Sequence, residues 1–236
     1  MIRAGIVLQA RTGSTRLPGK VLASVGGRPI VAHCIERLRA SSTLPVILAT
    51  TDRLEDDVLC ETAAGLDVSI VRGPADDVLA RYVLAASMFD LTHVVRATAD
   101  NPAVDLDAPR RTIDLLCRTG ADYVSEYGLP VGGAVEACTV DALRLAHTAT
   151  TDPYDREHVT PFLRRGRPVV WLEALAPALL RRADLRLTVD RPEDLAVMRE
   201  LYHAIGDHAS RAPLTAFIEA ADKLRGRRRV PGARGR

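Results

Sequence analysis

Apolar positions in the first half of the chain come in short unbroken runs separated by stretches of helical spacing. The runs Gly5-Ile6-Val7-Leu8, Pro45-Val46-Ile47-Leu48-Ala49, Val68-Ser69-Ile70-Val71 and His93-Val94-Val95-Arg96-Ala97 have the pattern of strands buried on both faces. Residues 29–40, 54–64, 76–89 and 107–118 follow them in turn with apolar side chains three and four apart, as at Ile30, Val31, Cys34, Ile35 and Leu38. Strands alternating with helices of this length predict right-handed β-α-β crossovers around a mostly parallel sheet.

The pattern changes after residue 120. Strands are predicted at 122–125, 134–137, 169–172 and 185–189, the first two joined by a Gly/Pro-rich connection. Helices are predicted at 140–148, 155–164, 192–205 and 213–224, with Pro192 in the first turn of its helix. The expected organisation is one α/β domain over residues 1–224, with a mixed C-terminal extension to the sheet. An Arg/Gly-rich tail at 225–236 is expected to be disordered.

That tail changes how the charge is read. The chain has 32 basic and 30 acidic residues, but residues 223–236 hold seven basic and no acidic groups. The remainder, 25 basic against 30 acidic, is acidic by five, so nucleic acid is not an expected partner. Lys20 and Lys223 are the only lysines, so Lys20 stands out in an arginine-rich chain. Cys34, Cys60, Cys117 and Cys138 form no CxxC pair. They are expected to be buried, reduced and unpaired, and a zinc site is not expected. No apolar run reaches the roughly 18 residues of a membrane span. The opening Met1-Ile2-Arg3-Ala4-Gly5 lacks the layout of a secretory signal, so a cytoplasmic location is expected.

Candidate chemistry concentrates in Gln9-Ala10-Arg11-Thr12-Gly13-Ser14-Thr15-Arg16-Leu17-Pro18-Gly19-Lys20, directly after the first strand. Ligands of open α/β sheets bind beyond the carboxyl ends of strands. Glycines let backbone N–H groups approach phosphate oxygens, and cations neutralise them. The spacing departs from a standard phosphate loop, since five residues separate Gly13 from Gly19 and Val21 follows Lys20. The dinucleotide fingerprint GxGxxG is absent.

This run resembles the opening of the cytidylyltransferases of the spore-coat-polysaccharide type, relatives of the enzymes that activate Kdo and sialic acid with CTP. Four further segments look like the same family, in the same order. They are Arg72-Gly73-x-x-Asp76-Asp77-Val78-Leu79-x-Arg81-Tyr82; Arg96-x-Thr98-Ala99-Asp100-Asn101-Pro102; Asp152-Pro153-Tyr154-x-Arg156-Glu157-His158-Val159-Thr160-Pro161; and Leu187-Thr188-Val189-Asp190-x-Pro192-Glu193-Asp194. The resemblance implies a three-layer, Rossmann-like nucleotidyltransferase fold of the glycosyltransferase-A-like kind. It implies transfer of CMP from CTP to an acceptor oxygen of a sugar acid or other small acidic or phosphonate molecule, dependent on Mg2+ and releasing pyrophosphate.

By the same resemblance Arg11, Arg16 and Lys20 contact the triphosphate as catalytic residues. Ala10, Gly13, Ser14, Arg72, Asp77 and Thr98 bind nucleotide, Asp100 and Asp190 hold the metal, and Glu136, Arg156 and His158 face the acceptor. Thr50, Thr51 and Asp52 border the same pocket. Simpler roles compete: Asp76 as a helix cap, Asp100 as a turn residue, Asp190 as an N-cap, and Arg156-Glu157-His158 as a surface salt bridge or dimer contact. Trp171 is expected in the core or at an interface, and a homodimer is implied by the resemblance. One departure is clear. Where the family often reads Pro-Asp-Gly-Leu-Asp-Val-Glu, this chain has Pro130-Val131-Gly132-Gly133-Ala134-Val135-Glu136, without acids at Val131 and Ala134. Two alternatives stay open: use of another nucleoside triphosphate, and a nucleotide-binding homologue without transfer activity.

Overall fold

The computed structural model describes residues 2–229. The chain begins with strand β1 (Ala4–Gln9), a two-residue hairpin β2 (Ser24–Val25) and β3 (Arg28–Pro29), and helix α1 (Ile30–Ser41). Then come β4 (Val46–Thr51), α2 (Asp57–Ala64), β5 (Ser69–Gly73), α3 (Val78–Met88), β6 (His93–Thr98) and α4 (Ala108–Thr119). The second half contains β7 (Tyr123–Tyr127), β8 (Glu136–Thr139), α5 (Val140–Ala149), α6 (Pro153–His158), β9 (Trp171–Leu175), α7 (Pro192–Ile205) and α8 (Leu214–Arg229).

Seven strands form one sheet in the order β5-β4-β1-β6-β8-β7-β9. The pairs within β5-β4-β1-β6 are parallel, and β8 runs antiparallel to both β6 and β7. The unbroken apolar runs fill both faces, as a sheet covered on both sides requires. Alternate residues separate cleanly: Ile6, Leu8 and Leu48 join the core under α1, α4 and α8, while Val7, Ile47 and Ala49 join the core under α3 and α5. This is a three-layer α/β fold with a mixed, mostly parallel sheet.

The second half departs from expectation in several places. Residues 185–189 alternate like a strand but make only one isolated bridge, Arg186 to Val131. Their backbone is spent on loop neighbours instead: Leu187 N–H donates to Val131 O (2.7 Å) and Val189 N–H to Asp100 O (2.8 Å). The helix expected at 155–164 is α6 followed by a separate 3-10 turn, Phe162–Arg165, broken where Val159 takes a φ of 70°. The strand expected at 169–172 forms two residues later as β9. Helix α8 runs to Arg229, and Arg225 pairs with Asp184 at 2.6 Å. The first residues of the expected disordered tail are therefore helical. The remainder of that tail, 230–236, lies outside the described residues.

All four cysteines are free, but burial holds for Cys34 and Cys138 alone, since Cys60 is half-buried and Cys117 exposed. Trp171 is 41% exposed, which removes it from the core because β9 forms the sheet edge. Asp77, not Asp76, caps α3: its carboxylate accepts from Ala80 N–H at 2.8 Å. Asp190 does not cap α7, whose first turn is closed by Asp194 accepting from the Asp190 and Arg191 N–H groups.

Candidate active site

The loop leaving β1 is folded on itself before any ligand is considered. Thr12 O accepts from Ser14 N–H (2.9 Å) and Gly19 N–H (3.0 Å). Gly19 has a φ of 67°, a left-handed conformation that glycine reaches without steric cost. The loop is also pinned from outside. The buried Asp56 carboxylate accepts from Thr12 N–H at 2.7 Å and Thr12 Oγ1 at 2.6 Å, and from Thr51 Oγ1. Burial alone would raise the Asp56 carboxyl, but these hydrogen bonds outweigh it and hold it below the usual carboxylate range.

Lys20, at the end of the loop, reaches across the sheet end to two carboxylates. Its Nζ donates to Asp100 Oδ2 at 2.8 Å and Asp190 Oδ1 at 2.9 Å. Asp100 follows β6, and its other oxygen accepts from Thr98 Oγ1 at 2.6 Å. The Asp190 Oδ2 accepts from Arg186 at 2.7 Å, and Arg16 approaches Oδ1 at 3.5 Å. Burial would lower the Lys20 ammonium, but Asp100 and Asp190 together hold it above its ordinary value. Burial would raise Asp190, but Lys20, Arg186 and Arg16 hold it low.

Around this triad lies a cleft of about 270 Å³. It brings together Ala10, Arg11, Gly13, Ser14, Arg16, Lys20, Thr98, Asp100, His158 and Asp190, ten of the residues singled out in the sequence. Arg11 pairs with Glu157 at 3.1 Å, and Arg16 is 63% exposed at the cleft mouth. The His158 ring packs against Tyr154 at 4.4 Å between centroids.

Other singled-out residues, Asp52 among them, stand outside the cleft. Arg72 donates to Thr51 O (2.9 Å), Arg53 O (2.8 Å) and Asp57 (2.6 Å), tying β5 to the loop after β4. Asp77 caps α3 and accepts from Arg156 at 2.9 Å. Arg156 also donates to Thr150 O and His147 O. These three residues hold elements together and do not line the cleft. Glu136 lines an adjoining cavity instead. Thr50 and Thr51 are buried in β4 and also stand outside the cleft.

Four residues at or near the cleft were not singled out in the sequence. Arg81 and Arg96 line it, beside the already weighed Glu157, and stand inside segments already quoted, so their signal was present. Arg186 shows only strand-like alternation in sequence. Asp56 gives no signal of its contact with the loop, because Thr12 is 44 residues away in the chain.

Among the described residues, no group of three or more His, Cys, Asp or Glu gathers to hold a metal by itself. The two carboxylates on Lys20 nevertheless fit magnesium arriving with a nucleotide, since that ion takes one or two carboxylates plus phosphate oxygens and water. No helix among the described residues is long and apolar enough to cross a membrane.

Comparison with known proteins is consistent with this geometry. A family model described as cytidylyltransferase matches residues 4–219. A Methanocaldococcus jannaschii protein without assigned function is 37% identical over 199 residues, covering 83% of this chain and 81% of its own. The Bacillus subtilis spore coat polysaccharide biosynthesis protein SpsF is 30% identical over 208 residues, covering 85% and 87%. A solved cytidylyltransferase from Leptospira borgpetersenii superposes with a TM-score of 0.88 at 28% identity, covering 96% of each chain. The CMP:2-keto-3-deoxy-manno-octonic acid synthetase in complex with CTP superposes with a TM-score of 0.64 at 17% identity, covering 84% of this chain and 98% of that one. This last likeness is one of fold: the three-layer arrangement is that of nucleotidyltransferases.

Proposed function

The chain belongs to the cytidylyltransferase family and is an enzyme; we propose that it takes CTP and joins CMP to an oxygen of a small-molecule acceptor, with magnesium required and pyrophosphate released. The observation that carries this reading is the Lys20 ammonium held between Asp100 and Asp190 at the floor of a cation-lined cleft. Two acids and one lysine in contact leave no net positive charge at the floor itself. The anion-binding capacity lies at the mouth and walls, in Arg11, Arg16 and the loop around Gly13.

In this reading Arg11 and Arg16 clamp the triphosphate, and the loop of Ala10, Gly13 and Ser14 forms the wall against which it lies. Thr98 orients Asp100 through their hydrogen bond. Asp100 and Asp190 hold the metal, and Lys20 transfers its hydrogen bonds from the carboxylates to phosphate oxygens. Bound magnesium supplies Lewis-acid stabilisation of the charge that develops on the phosphates. The acceptor oxygen bonds to the α-phosphorus while the bond to the bridging oxygen of the β-phosphate breaks. Pyrophosphate leaves with that electron pair, and the acceptor proton passes to solvent.

A role in surface polysaccharide synthesis is supported by the named activity of the Bacillus subtilis relative. A homodimer is supported by the half-exposed Trp171 and Leu175 on the edge strand, and sedimentation tests it.

Thermal unfolding with each of the four nucleoside triphosphates, with and without magnesium, tests the nucleotide reading. Ligand at about a hundred times its dissociation constant stabilises by roughly 2.7 kcal/mol. A shift selective for CTP and enhanced by magnesium is the expected result. Equal shifts reassign the nucleotide, and no shift with any triphosphate overturns the reading.

A further inference from the structure

A second cavity, of about 230 Å³, adjoins the cleft, and Arg96 and Thr98 line both. Part of its lining is a polar row at matched register across four neighbouring strands. Arg96 of β6 stands opposite Glu136 of β8, and Ser125 of β7 opposite Glu173 of β9. The pairing of Val124 with Ala137 brings Ser125 alongside Glu136. Polar side chains on a covered sheet face are costly unless they are satisfied, so the state of each charge is informative.

At the inner end the charges are committed. Glu136 accepts from Arg96 Nη1 (2.6 Å), Tyr123 OH (2.5 Å) and Thr160 Oγ1 (3.1 Å). Glu126, also in the lining, accepts twice from Arg111, at 3.0 and 2.9 Å. At the outer end the contacts are long: Glu173 Oε1 meets Arg164 Nη2 at 3.4 Å and Ser125 Oγ at 3.5 Å. Glu173 and Arg164 are 35% and 47% exposed. The lining thus sets two arginines, Arg96 and Arg164, against three glutamates, and the third glutamate is neutralised from outside by Arg111.

We propose that this cavity binds the acceptor, and that the acceptor is a neutral, hydroxyl-rich molecule of the sugar or polyol class. The proposal rests on the cytidylyltransferase reading and replaces the sugar acid or phosphonate that family resemblance implies. An anionic acceptor stands beside three carboxylates here and meets one loosely held cation, Arg164, whose charge Glu173 already balances. Hydroxyl groups, by contrast, donate to the second oxygen of Glu173 and accept from Arg164; hydrogen bonds to charged groups are among the stronger ones. Arg96 Nε is buried without a partner at the junction of the two cavities.

The test supplies the full-length enzyme with CTP and magnesium and three separate pools: neutral sugars and polyols, sugar acids, and sugar phosphates. CMP conjugates are identified by mass spectrometry, and the CTP-induced melting shift is recorded alongside. Conjugates from the neutral pool are expected, with at least a tenfold excess over the charged pools. The Glu173→Gln variant, which releases Arg164, is expected to keep the CTP shift and lose that excess. Preferential conjugation of acids or phosphates overturns the proposal, as does an unchanged preference in Glu173→Gln. A CTP shift with no conjugate from any pool also overturns it while leaving the nucleotide reading in place. Absence of the CTP shift removes both.

Discussion

The cleft beyond β1 and the cavity over β8, β7 and β9 are built from the same residue types, yet they distribute charge differently. In the cleft, Arg16 is largely in solvent and makes one contact at 3.5 Å, while Arg11 has one carboxylate partner and a distant carbonyl. In the cavity, the inner arginine is buried against a carboxylate that two further hydroxyls also hold. Loosely held cations at a strand end can be redirected to a phosphate chain at little cost. A buried pair held by several hydrogen bonds cannot, because removing either partner strands the other. Charge count therefore does not distinguish an anion site from a structural network; commitment does.

The largest effect that sharpens this contrast is on folding. Arg96→Ala leaves the Glu136 carboxylate without its cation and is expected to cost about 3–5 kcal/mol. At about 2–4 °C per kcal/mol for a chain of this size, the melting temperature falls by about 10 °C. A melting temperature close to that of the parent would break the comparison, since the cavity charges would then be as free as those of the cleft.

Lys20→Ala acts on chemistry. Pyrophosphate release from CTP is expected to fall by about 10²–10³, the usual loss for one preorganised donor. Steady-state kinetics would expose a spectator lysine as an unchanged kcat.

Gly132 stands next in size. It takes a φ of 94°, and a Cβ there would lie 2.8 Å from the Leu187 carbonyl carbon and the Thr188 nitrogen. The contact is with backbone, which cannot swing aside, so Gly132→Ala is expected to lose about 1–3 kcal/mol in a denaturant titration.

Arg16→Ala is smaller. Loss of one charged hydrogen bond to phosphate, about 1.5–3 kcal/mol, predicts roughly a tenfold or greater rise in the CTP dissociation constant. The melting temperature without nucleotide should stay unchanged; a fall there would mean that Arg16 belongs to the fold.

The smallest effect concerns pH. The contribution of Asp190, whose carboxyl is held low, is present above its unfolded value and lost as pH falls through the lower folded one. The contribution of Lys20, held high, is present below its unfolded value and lost as pH rises through the higher folded one. The triad is thus intact between about pH 5 and 9, and a melting profile should show no step there that Lys20→Ala removes.

Much of the fold is readable one segment at a time. The four parallel strands follow from runs such as Ile6-Val7-Leu8 and Val46-Ile47-Leu48, whose burial on both faces needs no knowledge of partners. The strand-like alternation of residues 185–189 misled because alternation reports two faces, not a neighbouring ladder; here the available partners are Val131 and Asp100. The break at Val159 was hidden because the helical pattern on either side of it continues.

The site divides in the same way. Arg11, Arg16 and Lys20 are close in sequence, and their clustering on a glycine-bearing loop after a strand is a local fact. Which distant charges meet them is not. Asp100 and Asp190 reach Lys20, whereas Arg72, Asp77 and Arg156, equally prominent in their motifs, are spent on carbonyls, a helix cap and one another. Hydrophobic period and turn chemistry act over a few residues, so the sequence alone determined the parallel strands with their helices and the cationic, glycine-bearing character of the first loop. Hydrogen-bond partners are chosen across tens of residues by packing, so only the tertiary structure decided which charges remained free to bind a ligand.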